Sequence, residues 1–177
     1  EFYMLLRKLF CLSLLTLISH ASSLSANEVI IGLNYPASGP YQVQGLAQER
    51  AADMAVEEIN NNGGILGKPI KLLKKDTQSK AAISTTNVVH MIDDQGAKMI
   101  FGGSSSAVSI SGGYAAKARD TLYFGTLTYS NATTGKDGHT HMFRESYNAW
   151  MGAKVLSKYL KKNFKGKELF YITADYT

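Results

Sequence analysis

Short apolar runs suited to buried strands alternate with stretches of helical period along most of this chain. That alternation limits the fold more than any other feature. Residues 29–34 (VIIGLN) are apolar almost throughout, as in a strand covered on both faces. A turn cluster of Pro36, Ser38, Gly39 and Pro40 follows. Residues 46–60 read as a helix. Ala52, Ala55, Val56 and Ile59 share one face, and Glu49, Asp53 and Glu57 recur on another, with Arg50 placed to pair along that stripe. The sequence Asn61-Asn62-Gly63-Gly64 supplies its stop. Residues 70–74 form a second strand, and Ser79 is placed to cap a second helix carrying Val88, Val89 and Ile92. A third strand at 98–101 runs into Gly102-Gly103, followed by a small-residue helix over about 107–119. A fourth strand at 122–124 leads into a polar loop over 126–140, the longest stretch expected to lack regular structure. A fourth helix at 149–163 carries Ala153, Leu156, Tyr159 and Leu160 at helical spacing, and a fifth strand is expected at 169–174.

Strands and helices in strict alternation give an α/β fold, a doubly wound parallel sheet with helices on both faces. Such sheets bind ligands beyond the carboxyl ends of their strands, where the strand order reverses. The segments to watch are therefore 36–45, 102–106 and 125–131. The fifth strand has no helix after it, so the sequence reads as a C-terminally truncated piece of a larger protein.

With 177 residues the chain is long enough to bury roughly 68–70% of its unfolded surface. Its one Cys excludes an internal disulfide and a Cys-ligated zinc or iron–sulfur site. Residues 4–26 read as a secretory signal: Met4, a charged start at Arg7 and Lys8, a largely apolar run of ten residues at 9–18, then small residues. The apolar run is short of the roughly 20 residues a spanning helix needs. Cleavage after Ser23 or after Ala26 fits, and both remain open. Residues 1–3 precede the expected initiator. Cys11 lies within the apolar run rather than after it, so it does not suit a lipid acceptor and leaves with the signal. Losing Arg7, Lys8 and Glu1 turns the net charge of +5 into +4. The lysines at 71, 74 and 75 and at 161, 162, 165 and 167 read as solvated faces. They lack the interleaved aromatics of a nucleic-acid groove, so no nucleic-acid partner is expected.

Signatures of catalysis are missing from the sequence. The stretch Gly102-Gly103-Ser104-Ser105-Ser106 lacks the closing glycine of a nucleophile elbow, and there is no phosphate loop or dinucleotide fingerprint. His139 and His141 stand near Asp137 without a third ligand in sequence, so no metal or other cofactor is expected. Asn131-Ala132-Thr133 forms a glycosylation sequon. What remains is a set of hydroxyl residues at strand ends. Ser104, Ser105 and Ser106 precede a helix, whose free N–H groups and dipole favour an anion such as a carboxylate. Thr126, Thr128 and Tyr129 follow the next strand and share the same crevice. On spacing alone the same residues serve as well as helix caps and loop residues.

Four ordered pieces carry a family resemblance: IIGLNYPASGPYQVQG (30–45), AVEEINNNGGILGKPIKL (55–72), IFGGSSSAVS (100–109) and FGTLTYSNATT (124–134). With FRES at 143–146 and the closing YITADYT, the chain resembles the first lobe of a type I periplasmic solute-binding protein. The branch is the one serving branched-chain amino acids and amides in ABC importers. The resemblance implies a Rossmann-like lobe of a two-lobe receptor with no enzymatic activity. With residues 1–26 set apart as the leading residues and the signal, it implies a first lobe over 27–143, and the crossover and start of a second lobe over 144–177, near Arg144, Tyr147 and Trp150. The family's ligand-contacting serine falls within Ser104 to Ser106, and its head-group loop falls on Thr126 and Thr128, with Tyr129 beside them. The first loop often carries an aromatic residue before its glycine; here Gln44 stands there, with Tyr41 nearby. That departure admits a polar solute, such as an amide, a urea-like compound or a polar amino acid, as readily as leucine. Tyr176 resembles the ligand-facing end of the second lobe's first strand. The implied partners are a small polar solute and an ABC permease in the membrane. A sensory module of the same fold and an exported α/β enzyme are the alternatives.

Overall fold

The computed structural model describes residues 28–172. The signal, Cys11 and Tyr176 lie outside the described residues. Five strands form one parallel sheet: β1 (Val29–Tyr35), β2 (Ile70–Asp76), β3 (Met99–Gly103), β4 (Leu122–Thr126) and β5 (Met142–Arg144). Their order is β2-β1-β3-β4-β5. Four helices connect or follow them: α1 (Gln42–Asn61), α2 (Ala81–Asp93), α3 (Ser106–Lys117) and α4 (Ala149–Asn163). The chain goes from β1 outward to β2 and then crosses back to β3 on the other side of β1, so the order reverses between β1 and β3. There Asn34 lies beside Gly102. This is the expected doubly wound sheet, with its ligand-accepting switch point between the first and third strands.

The two faces of the sheet are covered unequally. Ile100, Tyr123 and Met142 point toward α2 and α3 and pack with Val88, Met91, Ala97, Ala115 and Ala116 in the main core. Gly32 belongs to this layer because a β-carbon there would stand 2.8 Å from the Met91 sulfur. The opposite face carries Ile31, Leu33 and Leu72, and a ladder of three phenylalanines. The Phe101 and Phe124 rings stack 4.8 Å apart, and Phe124 and Phe143 follow at 5.3 Å. Among the described residues only α1 lies on this face, and Gly45 is its one buried residue. Two contacts hold that helix to β2. Lys74 reaches Asp53 at 2.7 Å and Glu49 at 3.1 Å, while the Asn60 side chain accepts from Ile70 N–H at 2.6 Å and donates to its carbonyl at 3.0 Å. The acidic stripe on α1 therefore pairs with Lys74 rather than with Arg50 as its own sequence suggests.

Three sequence expectations are corrected. Ser79 does not cap α2: the N-cap is Lys80 in extended backbone, and Ser79 lies in the left-handed region at φ 59. Its hydroxyl instead meets Tyr41 N–H and the Ser38 carbonyl, at 3.4 Å each. The loop at 126–140 is not without regular structure, since Asn131–Thr134 form a short 3-10 turn. The fifth strand of the sheet is Met142–Arg144, paired in parallel with β4, and of the 169–174 segment expected as a strand, 173–174 lie outside the described residues. The described part of that segment, 169–172, has no regular structure, and Phe170 and Ile172 are about nine-tenths exposed. A parallel strand of this apolar character needs a paired neighbour and covered faces, and none lies against it among the described residues.

Candidate functional site

Three loops meet beyond the carboxyl ends of β1, β3 and β4. The first is shaped by Asp76 at the end of β2. Its carboxylate accepts from Ser38 Oγ at 2.6 Å, from Ser38 N–H at 3.2 Å and from Gln78 N–H at 2.8 Å. Burial acts to raise the pKa of this group, but those hydrogen bonds outweigh it and hold the carboxyl below its usual range. Tyr41, half-buried, ends this loop at the start of α1, and Gln44 stands exposed on the first turn beyond it.

The serines after β3 have separate fates. Ser104 is nearly buried in left-handed backbone at φ 65, and its N–H donates to the Thr126 carbonyl at 2.9 Å. Ser106 is buried, and its Oγ accepts from Ser130 N–H at 3.0 Å. Ser105, half-buried, is the N-cap residue of α3, yet its hydroxyl makes no capping bond. The first N–H groups of α3 and a hydroxyl free of other duty are thus presented together. Gly103 allows this turn. Its φ is 145, and a β-carbon there would meet the Thr126 carbonyl at 2.5 Å.

At the end of β4, Thr126 is half-buried and faces α1, while Thr128 beyond it is fully buried. The Thr128 carbonyl accepts from Ser146 Oγ at 3.5 Å, and its own hydroxyl finds no partner among the described residues. Tyr129 is half-buried against Tyr147, with ring centroids 4.9 Å apart. Arg144 fixes the loop, donating to the Ser130 carbonyl at 2.7 Å and to Thr134 Oγ1 at 2.6 Å. Of the residues named from sequence, the structure brings Ser104, Ser105, Thr126 and Thr128 to one edge, with Gln44 near Thr126 along α1. Ser106 and Thr128 turn inward. Sequence reasoning missed Gln48, which hydrogen-bonds both Ser104 and Thr126 from α1.

A second concavity of about 540 Å³ runs between α1 and the uncovered sheet face. Ile31, Leu33, Leu72, Phe101 and Val56 line it, and its polar side chains (Gln44, Gln48, Thr126, Glu145) gather at one end. Such walls suit an apolar element of chain or a ligand that is apolar over most of its surface. The two loop histidines do not converge on a metal site. His141 pairs with Asp120 at 2.6 Å, while burial, helped by Lys117 and His141, lowers the pKa of His139. Among the described residues no group of three His, Cys, Asp or Glu is placed to hold a metal ion.

The sheet order agrees with sequence comparison, where a family described as "Periplasmic binding protein" matches residues 28–177. The chain belongs to the periplasmic binding proteins. The Leu/Ile/Val-binding protein BraC3 of Rhizobium johnstonii is 32% identical over 144 residues, covering 80% of this chain and 38% of that protein. A chemotactic signal transduction system substrate-binding protein, BasB of Halobacterium salinarum, is 30% identical over 139 residues, covering 76% of this chain and 34% of that one. Among solved structures, the leucine-, isoleucine-, valine-, threonine- and alanine-binding protein of Brucella ovis superposes with a TM-score of 0.71 at 29% identity. The match covers 81% of this chain and 38% of that one. This periplasmic binding protein chain therefore spans well under half the length of the relatives it matches.

Proposed function

We propose that this chain is part of an exported, non-enzymatic receptor. It captures a small amino-acid-like or amide-like solute between two lobes and delivers it to an ABC importer. The observation that carries this reading is the pairing of an uncapped α3 start with the unengaged Ser105 hydroxyl, at the switch point of the sheet. That arrangement grips a carboxylate or carbonyl by several donors at once, with no nucleophile–base pair beside it. Thr126 faces the same edge, while Tyr41, Gln44 and Tyr129 shape the rest of the cleft. Ser106 and Thr128 hold the loops from within.

The lobe division follows the same logic. Residues 27–143 form the first lobe, and 144–177 the crossover and the start of the second. Helix α4 buries none of its residues, and its apolar side, with Met151, Val155 and Tyr159, lies open for the remainder of a second lobe. The segment at 4–26 supports export. Solute contacts to both lobes stabilise a closed state and shift a hinge equilibrium.

A thermal-shift screen of amino acids, primary amides and small carboxylates on the full-length gene product tests the reading. A solute at 100 times its Kd adds about 2.7 kcal/mol of stability. Replacing Ser105 and Thr126 together by alanine removes two hydrogen bonds to a charged head group, about 1.5–3 kcal/mol each, and abolishes that shift. A double variant that keeps the wild-type shift defeats the site assignment. The likeness to BasB favours a second reading, a receptor of the same fold that reports to a signalling partner. Co-purification with a permease or with a signalling transducer separates the two.

A further inference from the structure

Helix α4 and the turn after it gather positive charge on one side. Lys154, Lys158, Lys161, Lys162, Lys165 and Lys167 stand between Glu145 and Glu168, and no acidic residue falls in that interval. All six are exposed, and none forms an ion pair among the described residues. Several cations elsewhere have partners: Lys71 meets Glu28, Lys74 meets Glu49 and Asp53, and Arg119 meets Asp93. At about 100° per residue, the four lysines of the helix lie within about 100° of arc, and Val155, Leu156 and Tyr159 fall outside it. Met151 lies within the arc and Trp150 at its border, where the Lys154 ammonium stands 5.6 Å from the indole ring centroid. Lys165 and Lys167 extend the stripe through a turn closed by Lys167 N–H donating to the Phe164 carbonyl at 3.1 Å.

The type of cation selects the partner. Arginine presents a planar fork that clamps one carboxylate or phosphate in a fixed geometry, and this stretch has none. Ammonium groups on long flexible stems act as point charges. Spread along roughly 20 Å of helix, they match a surface of many mobile anions better than a single acidic group. Tryptophan and methionine beside them suit the headgroup level of a bilayer, where an apolar body and a polar edge are both accommodated. We propose that the lysine stripe of α4 adsorbs the protein to an anionic lipid surface. The apolar side of the helix takes no part and stays available to the rest of the protein. A receptor held at a bilayer searches for its permease in two dimensions; that consequence rests on the function proposed above, whereas the adsorption does not.

Co-sedimentation of the full-length gene product with vesicles tests this, using phosphatidylcholine alone and phosphatidylcholine with about one third phosphatidylglycerol. The wild type binds the anionic vesicles at least about tenfold more strongly than the neutral ones. That margin collapses as NaCl rises from about 0.05 M to about 0.5 M. Each lysine near such a surface is worth about fivefold in binding, so Lys154→Gln, Lys158→Gln, Lys161→Gln and Lys162→Gln combined remove the margin. Lys154→Arg, Lys158→Arg, Lys161→Arg and Lys162→Arg combined keep it within about threefold, because the charge is unchanged. A control that removes four exposed lysines elsewhere, Lys68→Gln, Lys98→Gln, Lys117→Gln and Lys136→Gln, still binds at least about tenfold more strongly than the α4 glutamine variant. Equal binding of the wild type to both vesicles overturns the proposal and leaves the stripe to an acidic protein or to solvent. A control that loses as much as the α4 glutamine variant assigns the adsorption to net charge and overturns it too. An arginine variant that fails along with the glutamine variant has the same consequence.

Discussion

Single side chains in this fold are costly where their polar atoms are buried, and two of them give sharp expectations. Tyr123 is fully buried among Asn34, Ser84 and Ser109, and burial pushes its phenol up to about 12. Its hydroxyl makes no hydrogen bond of ordinary geometry among the described residues. An unsatisfied buried hydroxyl costs about 1–3 kcal/mol. Tyr123→Phe keeps the ring against Met91 and Ile100 and removes that cost, so its Tm equals or exceeds the wild-type value by calorimetry. A fall of several degrees shows that the hydroxyl has a partner. Asp76 acts in the opposite sense. Its folded-state pKa is depressed, so its contribution to stability is present above the unfolded value, about 4, and fades as pH falls through the folded value. Asp76→Asn therefore lowers Tm at pH 7, and the gap from wild type closes toward pH 3. A gap independent of pH removes the carboxylate from the account.

The elements show what local pattern can and cannot specify. The apolar run of β1, the Asn-Gly stop after α1 and the glycine-rich end of β3 are short-range signals, and each stands where the sequence puts it. β5 escapes notice because Met142–Arg144 is three residues long and exists only through its register with β4. Residues 169–172 carry the composition of a strand without neighbours to pair with. The site divides in the same way. Its three loops are legible from the alternation of elements, but the inward turn of Ser106 and Thr128 depends on how α3 and the 126–130 loop rotate against the sheet. The Gln48 bridge to Thr126 spans 78 positions, so no spacing rule reveals it. At this scale Gly103 is the sensitive point. Its left-handed backbone costs a side chain about 1–3 kcal/mol, and the β-carbon would also press on the Thr126 carbonyl. Gly103→Ala lowers Tm by several degrees in a circular dichroism melt and weakens solute binding with it. A neutral substitution contradicts the described turn.

At the scale of the whole molecule, the described residues form an α/β unit with apolar surface left uncovered. One sheet face is sealed by α2 and α3; the other exposes the Phe101, Phe124 and Phe143 ladder beside a lone helix, and α4 stands with its apolar side bare. A solute held only at the strand ends lacks a second wall to exclude water. Residues 27–177 alone are therefore expected to bind solute weakly, and sub-micromolar affinity by that piece would contradict a two-lobe mechanism. The central claim is that solute binds at the carboxyl edge of β3 and β4. Amide chemical shifts of the full-length gene product, followed during titration with the solute found by thermal screening, test it most directly. The account predicts the largest changes at residues 104–107 and 126–129; saturable binding that leaves those amides unmoved would contradict it.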